Sequence, residues 1–255
     1  MAYVTTEQRV QLDELGYVVL PRFIPEEMLE RLRRRVAELF EAEGDAAGGE
    51  FRQEPGSQRL ANLVDKGEEF RWVMTHPQIL EMVSHVLGGD FKLSSLNARS
   101  ANARNGSSQP LHSDMGAIPD ARGNWVCNTV WMLDAFTEEN GAIRVVPRSH
   151  TWGRLPDDPK GHTDEVLVMA PAGTVVVMNA HAWHGGTENR TDNPRCALHG
   201  FFVRRDQPQQ QYQKKLLSAA TLASLTAEER QLLAIDDPLN DAVTAGNESR
   251  SGFLK

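Results

Sequence analysis

The stretch "GTVVVMNAHAWHGGTENRTDNPRCALHGFFVRR", residues 173–205, decides the fold. It holds two β-prone runs, "GTVVVMNA" and "RCALHGFFV". Between them lie only a histidine-bearing segment and a turn rich in Gly, Thr, Asn and Asp, with no room for a crossover helix. The same texture extends upstream to residue 91, through "FKLSSLNARSANA", "NWVCNTVWML", "AIRVVP" and "DEVLVMA". Short strands at close intervals argue against parallel βαβ units and predict an antiparallel sandwich or barrel. The fold class expected is mainly β with added helices: a double-stranded β-helix (jelly-roll, cupin-like) core with N-terminal helices packed outside.

Before residue 91 the periodicity is helical. "TTEQRVQLDELG" carries Val10, Leu12 and Leu15 and stops at Gly16, and "IPEEMLERLRRRVAELFEAEG" spaces Met28, Leu29, Leu32, Val36 and Leu39 along one face. A short strand, "YVVL", separates these two helices, and "HPQILEMVSHVLGG" predicts a third. "AEGDAAGGEFRQEPGSQ", residues 42–58, reads as a mobile loop. The chain is expected to form one domain over 1–255: a mainly helical part at 1–90, the jelly-roll core at 91–205, and a polar extension at 206–255 with one or two helices and no chemistry. No internal repeat is present.

The composition, 40% apolar and 24% charged over 255 residues, is that of an ordinary soluble globular protein, long enough for one well-buried domain. A formal charge of −8 works against nucleic acid and anionic membranes and favours small-molecule partners. The start "MAYVTTEQRV" has no basic segment leading an apolar core, and no run approaches the roughly 20 apolar residues of a membrane span, so a cytoplasmic location is expected. Cys127 and Cys196 sit in apolar strand-like runs and read as buried thiols.

Chemistry enters with "PLHSDMGAIPD", residues 110–120. On an extended strand residues i and i+2 share a face, so His112 and Asp114 aim an imidazole and a carboxylate at one point. The pair alone is a weak signal, since HxD arises by chance. The 173–205 stretch strengthens it with a histidine at a strand end and Arg195 opening the next strand, a late third ligand and a cation on the barrel wall.

"PLHSD", "TVWMLDAFTEENGAIRVVPRSH" and "WHGGTENRTDNPR" together resemble the phytanoyl-CoA dioxygenase family of iron(II)- and 2-oxoglutarate-dependent oxygenases, in the family's order and over residues 16–203. The resemblance implies an Fe(II) triad of His112, Asp114 and His184, with Arg195, eleven residues after His184, on the distal carboxylate of 2-oxoglutarate. It also implies Asn128, Asn97, Trp131 and Thr187 around the cosubstrate and Arg99 toward the substrate, with Trp131 alternatively packed on the opposite face of its strand. Two histidines and one carboxylate on one side of iron leave positions for 2-oxoglutarate and O2. A guanidinium gives a carboxylate a planar, permanently charged partner. The reaction implied is oxidative decarboxylation of 2-oxoglutarate to succinate and CO2, coupled to hydroxylation of an unactivated C–H bond. Related halogenases carry Gly or Ala at the carboxylate position; this chain keeps Asp114.

Other histidines have simpler readings: His181 competes with His184 but lies off the ligand position, His199 is a core histidine, and His150 fixes a loop. His76, His85 and His162 are solvated, as are the "RLRRR" face and Arg204–Arg205. Two departures stand out. Arg148 replaces the usual glycine before Ser149 and His150, and Gly186 stands where a small hydroxyl residue often assists the cosubstrate, with Thr187 as an imperfect substitute. A cupin-like metalloenzyme not using 2-oxoglutarate would show HxH and a later Glu instead of HSD and Arg195. A non-catalytic binding module would not need the full triad. "SSLNARSANARNG", with Asn97, Arg99, Asn102 and Arg104, points to a polar or anionic small molecule, although half of these side chains face outward on a strand, and the substrate expected is a polar metabolite or natural-product intermediate.

Overall fold

A computed structural model describes residues 3–50 and 55–246. Helix α1 (Thr6–Leu15) begins with a capping box in which Thr5 and Gln8 exchange backbone and side-chain hydrogen bonds. Strand β1 (Tyr17–Leu20) and helix α2 (Glu26–Glu43) follow. After a 3-10 turn at Gly44–Ala46, the described part of the stretch read as a mobile loop ends in an edge strand, β2 (Ser57–Leu60); its residues 51–54 lie outside the described residues. Helix α3 (Glu68–Thr75), which the sequence reading did not identify, leads to α4 (Pro77–Leu87).

The core then runs through β3 (Phe91–Ala101), β4 (Val126–Met132), β5 (Ile143–Val145), β6 (Val166–Val168), β7 (Val175–Asn179), β8 (His184–Gly186) and β9 (Arg195–Arg204). A six-stranded antiparallel sheet has the order β1-β7-β4-β9-β3-β2, and a three-stranded sheet the order β6-β5-β8. The two sheets pack through Val130, Met132, Val176, Met178 and Ala197 against Ile143, Val145 and Val168, giving the jelly-roll core. The outer face of the larger sheet is covered by α1 to α4, with Leu96, Cys127, Trp131, Val177 and Leu198 meeting Leu12, Leu32, Phe70 and Met82. Strand β4 is therefore buried on both faces, which is why "VCNTVWM" reads as an unbroken apolar run rather than an alternation.

A β-bulge between Leu93 and Ser95 resets the parity of β3. Leu93, Leu96 and Ala98 all join the helix-side core, and Arg99 lines the cleft beside His112 on the opposite face. The segment after Asp206 holds four short helices, α5 (Gln213–Leu216), α6 (Ala219–Ser224), α7 (Ala227–Leu232) and α8 (Pro238–Thr244), where one or two were expected. It also caps the half of β3 that β2 does not cover: the Gln211 N–H donates to the Ser94 carbonyl, and Gln211 Oε1 accepts from the Leu96 N–H.

Several polar groups read as solvated are structural. His76 packs among Phe23, Trp72 and Trp131, and His162 lies against Trp152 and Trp183. Arg204 is clamped by Asp120 and Asp206, and Arg205 by Asp90 and Asp237. Arg33 donates to the Leu133 carbonyl and Arg35 to that of Lys66. No described helix is long and apolar enough to cross a membrane.

Candidate metal centre

The segment carrying His112 extends the smaller sheet: His112 and His184 form an antiparallel bridge, exchanging N–H to carbonyl bonds of 3.0 and 2.9 Å. Two residues on, the chain leaves that sheet, and the Asp114 N–H bonds the Ala180 carbonyl at the end of β7. Met115, immediately after, adopts a left-handed conformation with φ +56°, a strained geometry for a residue with a side chain. The turn brings the Asp114 carboxylate to face both imidazoles.

His112 Nε2 lies 3.7 Å and His184 Nε2 3.6 Å from Asp114 Oδ1. Each ring turns its other nitrogen to a carbonyl two residues back, His112 Nδ1 to Pro110 and His184 Nδ1 to Ala182, both at 2.8 Å. A carbonyl only accepts, so each Nδ1 donates to it and each Nε2 is the ring nitrogen left facing the shared point. The donor atoms of the three residues lie within 4.8 Å of one another. Burial works to raise the Asp114 carboxyl, yet His184 and His112 facing it hold it well below the usual carboxylate range. Asn128 Nδ2 donates to Asp114 Oδ2 at 3.0 Å and fixes the carboxylate plane. Two imidazole nitrogens and one carboxylate, oriented from behind, suit a divalent transition metal such as iron.

Arg195 lies deeper on β9 and is 3% exposed. Its Nη2 donates to the Gly141 carbonyl at 2.6 Å, and its guanidinium carbon sits 4.0 Å from the centre of the Phe136 ring. No described carboxylate pairs with it. Burial, with Arg99 adding repulsion, pushes it down to about 10. The seat is built by residues that the sequence reading did not single out. Asn140 Oδ1 accepts from the Thr137 N–H and its amide donates to the Ala135 carbonyl, closing the turn ahead of Gly141. Gly141 has φ +87°, and a Cβ there would lie 2.9 Å from the Thr187 carbonyl oxygen and 3.4 Å from Arg195 Nη2. Fully buried Asn189 ties the turn between β8 and β9 to the Ala101 and Asn193 carbonyls. The signal was present in "TEENG" and "TENR", but only as turn-forming residues.

The remaining expected residues divide. Asn97 is buried, with its oxygen accepting from Gln211 Nε2 at 2.7 Å, so the tail reaches back to fix an amide on β3. Arg99 lines the cleft beside His112. Trp131 does not join the site: it is fully buried on the other face of β4 against Phe23 and Trp72, as strand parity requires. Thr187 spends its hydroxyl on the Ala142 carbonyl at 2.9 Å, and so does not replace the missing hydroxyl at Gly186.

His181 is sealed in, bonded through Nδ1 to Asn179 Oδ1 at 2.7 Å, and stands outside the ligand cluster. His199 keeps part of its surface accessible, but its Nε2 is sealed off without a partner, unlike a satisfied core histidine. His150 bonds the Asp13 carbonyl and pins its loop to α1. Arg148 keeps a glycine-like backbone, φ +71°.

The family model described as phytanoyl-CoA dioxygenase (PhyH) matches residues 12–197. A curated relative, "Dioxygenase af480" of Aspergillus fumigatus, is 28% identical over 205 residues, covering 77% of this chain and 66% of its own length. Among solved structures, HygX from Streptomyces hygroscopicus with nickel and 2-oxoglutarate bound superposes with a TM-score of 0.64 at 16% identity, covering 78% of this chain and 87% of that one. EctD from S. alaskensis with 2-oxoglutarate and 5-hydroxyectoine gives 0.68 at 17% identity, covering 79% and 77%.

Proposed function

The chain belongs to the phytanoyl-CoA dioxygenase family of iron(II)- and 2-oxoglutarate-dependent oxygenases, and from that premise we propose that it hydroxylates an unactivated C–H bond of a polar small molecule. The observation that carries the reading is the convergence of His112 Nε2, His184 Nε2 and the Asp114 carboxylate, with both Nδ1 atoms committed to carbonyls. His112, Asp114 and His184 would hold Fe(II). Bound there with 2-oxoglutarate and O2, iron supplies the oxidising power for C–H cleavage, with succinate and CO2 as by-products.

The protein's own part is positional. Asp114 contributes a hard anionic oxygen, kept in plane by Asn128. Arg195, buried without a described carboxylate, is the partner for the distal carboxylate of 2-oxoglutarate, and Phe136 and Gly141 hold the guanidinium in register. Asn128 and Asn97 are the amides assigned to the cosubstrate, with Asn97 already bonded to Ser95 and Gln211. Retention of Asp114 weighs against halogenation, since no protein ligand position is vacated for a halide.

The test incubates the protein with Fe(II), 2-oxoglutarate, O2, excess chloride and a metabolite library, and follows succinate release and product mass. Iron- and O2-dependent succinate with a single added oxygen in the product is expected. A chlorinated product would defeat the hydroxylase reading, and absence of 2-oxoglutarate turnover would defeat the oxygenase reading.

A further inference from the structure

The arm of chain that delivers His112, residues 109–112, pairs with β8 over a short stretch only. Beyond the His112–His184 bridge the next rung would need an N–H from residue 110, which is a proline and has none. Gln109 makes up that rung instead: its N–H donates to the Gly186 carbonyl at 2.8 Å, and its side-chain oxygen accepts from the Gly186 N–H at 3.0 Å. The opposite edge of the arm is bonded to the loop between β5 and β6, where the Pro159 carbonyl accepts from the Leu111 N–H at 2.7 Å.

Arg144 ties these pieces together. It stands on β5, is 8% exposed, and has Gly185 of β8 as its cross-strand partner. With no side chain at Gly185 in the way, the guanidinium crosses β8, and its Nη2 donates to the Gln109 carbonyl at 2.7 Å. Its Nη1 donates to the Lys160 carbonyl at 2.7 Å and meets Glu165 at 3.3 Å. Gly185 is also where the arm's backbone settles, since a Cβ there would lie 2.9 Å from both the Gln109 and the Pro110 carbonyl oxygens. The Pro110 carbonyl is the acceptor that orients the His112 ring. A single peptide unit therefore separates the Arg144 fork from the bond that aims a metal ligand.

We propose that Arg144 is a positioning residue for the metal: its fork holds the arm of residues 109–112 closed on β8, and Gly185 is bare so that it can. This rests on the oxygenase reading above, and it makes metal affinity depend on a residue bonded to none of the three ligands. Both carbonyl bonds come from a charged donor that is almost fully buried, the stronger class of hydrogen bond. Lysine does not reproduce them, because one ammonium lacks the rigid fork that spans carbonyls of two separate segments.

The test compares wild type, R144M, R144K and G185A, each as the full chain. Amide hydrogen exchange on the metal-free proteins, followed by mass spectrometry over the arm and over β7 and β9, reports the arm directly; Ni(II) titration reports the effect on the site. R144M is expected to speed exchange in the arm while β7 and β9 keep their protection, and to raise the Ni(II) dissociation constant at least about tenfold. R144K keeps the charge without the fork and should recover only part of both losses. G185A presses on the same arm with Arg144 intact, so it should open the arm as well, and it carries the test should R144M not fold. Unchanged arm exchange in R144M and G185A, an opened arm with unaltered Ni(II) affinity, or full recovery in R144K would overturn the proposal. So would loss of protection throughout β7 and β9, which would make Arg144 a general support of the core. Failure of the wild type to bind Ni(II) would sink the metal-centre reading instead, and the exchange comparison on the metal-free proteins would still decide whether Arg144 holds the arm.

Discussion

Asn128 Nδ2 and Asp114 Oδ2 are 3.0 Å apart, although they lie on β4 and on the loop after the His112 bridge, elements that share no ladder. The amide engages Oδ2, whereas the two imidazoles face the other carboxylate oxygen, Oδ1. Asn128→Ala is expected to weaken Fe(II) or Ni(II) binding by about 10- to 100-fold, the usual cost of losing an outer partner of a metal ligand. Metal titration of the purified variant checks this, and an unchanged dissociation constant would show that the bond is incidental.

His184→Ala and His181→Ala separate the two histidines of "HAWH". The first removes a donor of the triad and should abolish stoichiometric iron binding. The second lies outside the triad and should retain iron while losing stability, because His181 is buried against Asn179 and Trp125. Elemental analysis of both proteins after iron loading decides it, and equal iron content would overturn the assignment.

Gly141→Ala should damage cosubstrate binding without touching a ligand of the metal. A Cβ 2.9 Å from the Thr187 oxygen at φ +87° displaces the turn that seats Arg195. Arg195→Gln should act more strongly, since leaving one member of a buried charge pair alone costs about 3–5 kcal/mol. Both variants are expected to raise the 2-oxoglutarate dissociation constant while metal affinity stays within a few-fold. Parallel losses of metal and cosubstrate would point to a collapsed barrel instead.

Arg148→Gly should stabilise the protein. A left-handed backbone at φ +71° costs a residue with a side chain about 1–2 kcal/mol, partly offset by the greater freedom of glycine in the unfolded chain. The net gain expected is ~1 kcal/mol, a rise of about 2–4 °C in Tm for a domain of this size. Calorimetry showing no rise would mean that the Arg148 side chain contributes contacts worth the strain.

Stability should also fall on mild acidification. Burial, with His150 nearby, lowers His181 from its ordinary 6.5 to about 4. Between those values the unfolded chain binds the proton and the folded one does not, so this contribution is complete above pH 6.5 and is lost as pH drops toward 4. The full effect is on the order of 3 kcal/mol. His181→Gln should flatten the Tm profile across that window, and identical profiles would exclude His181 as the source.

The strands and the two ends of the site could be read from the sequence because both rest on local order. Period-two reasoning paired His112 with Asp114, although in the fold the turn at Asp114–Gly116 rather than strand alternation aims the carboxylate, and the turn residues before Arg195 announced a new strand. What resisted reading depends on what covers each face. Trp131 and Asn128 lie three apart on one strand, and only the helices packed behind β4 send the first outward and the second to the metal. In β3 the bulge at Leu93/Ser95 breaks the alternation outright. His76 and His162 looked solvated because aromatic partners from distant segments enclose them, and Gln211 meets Asn97 across more than a hundred residues of chain. The backbone at Arg148 followed the pattern of the glycine it replaces, a constraint imposed by the loop and not by the residue.

The pairing of β1 with β7 has a consequence for biogenesis. Tyr17 waits for Met178 and Leu20 for Val175, so a strand made early in synthesis has no ladder until most of the chain has left the ribosome. Such high contact order slows closure of the sheet, and the N-terminal helices emerge with their apolar faces still uncovered. The exposed edge of β3 is sealed later still, when Gln211 arrives from beyond β9. The nascent protein therefore passes through an interval with open strand edges before its ladders close.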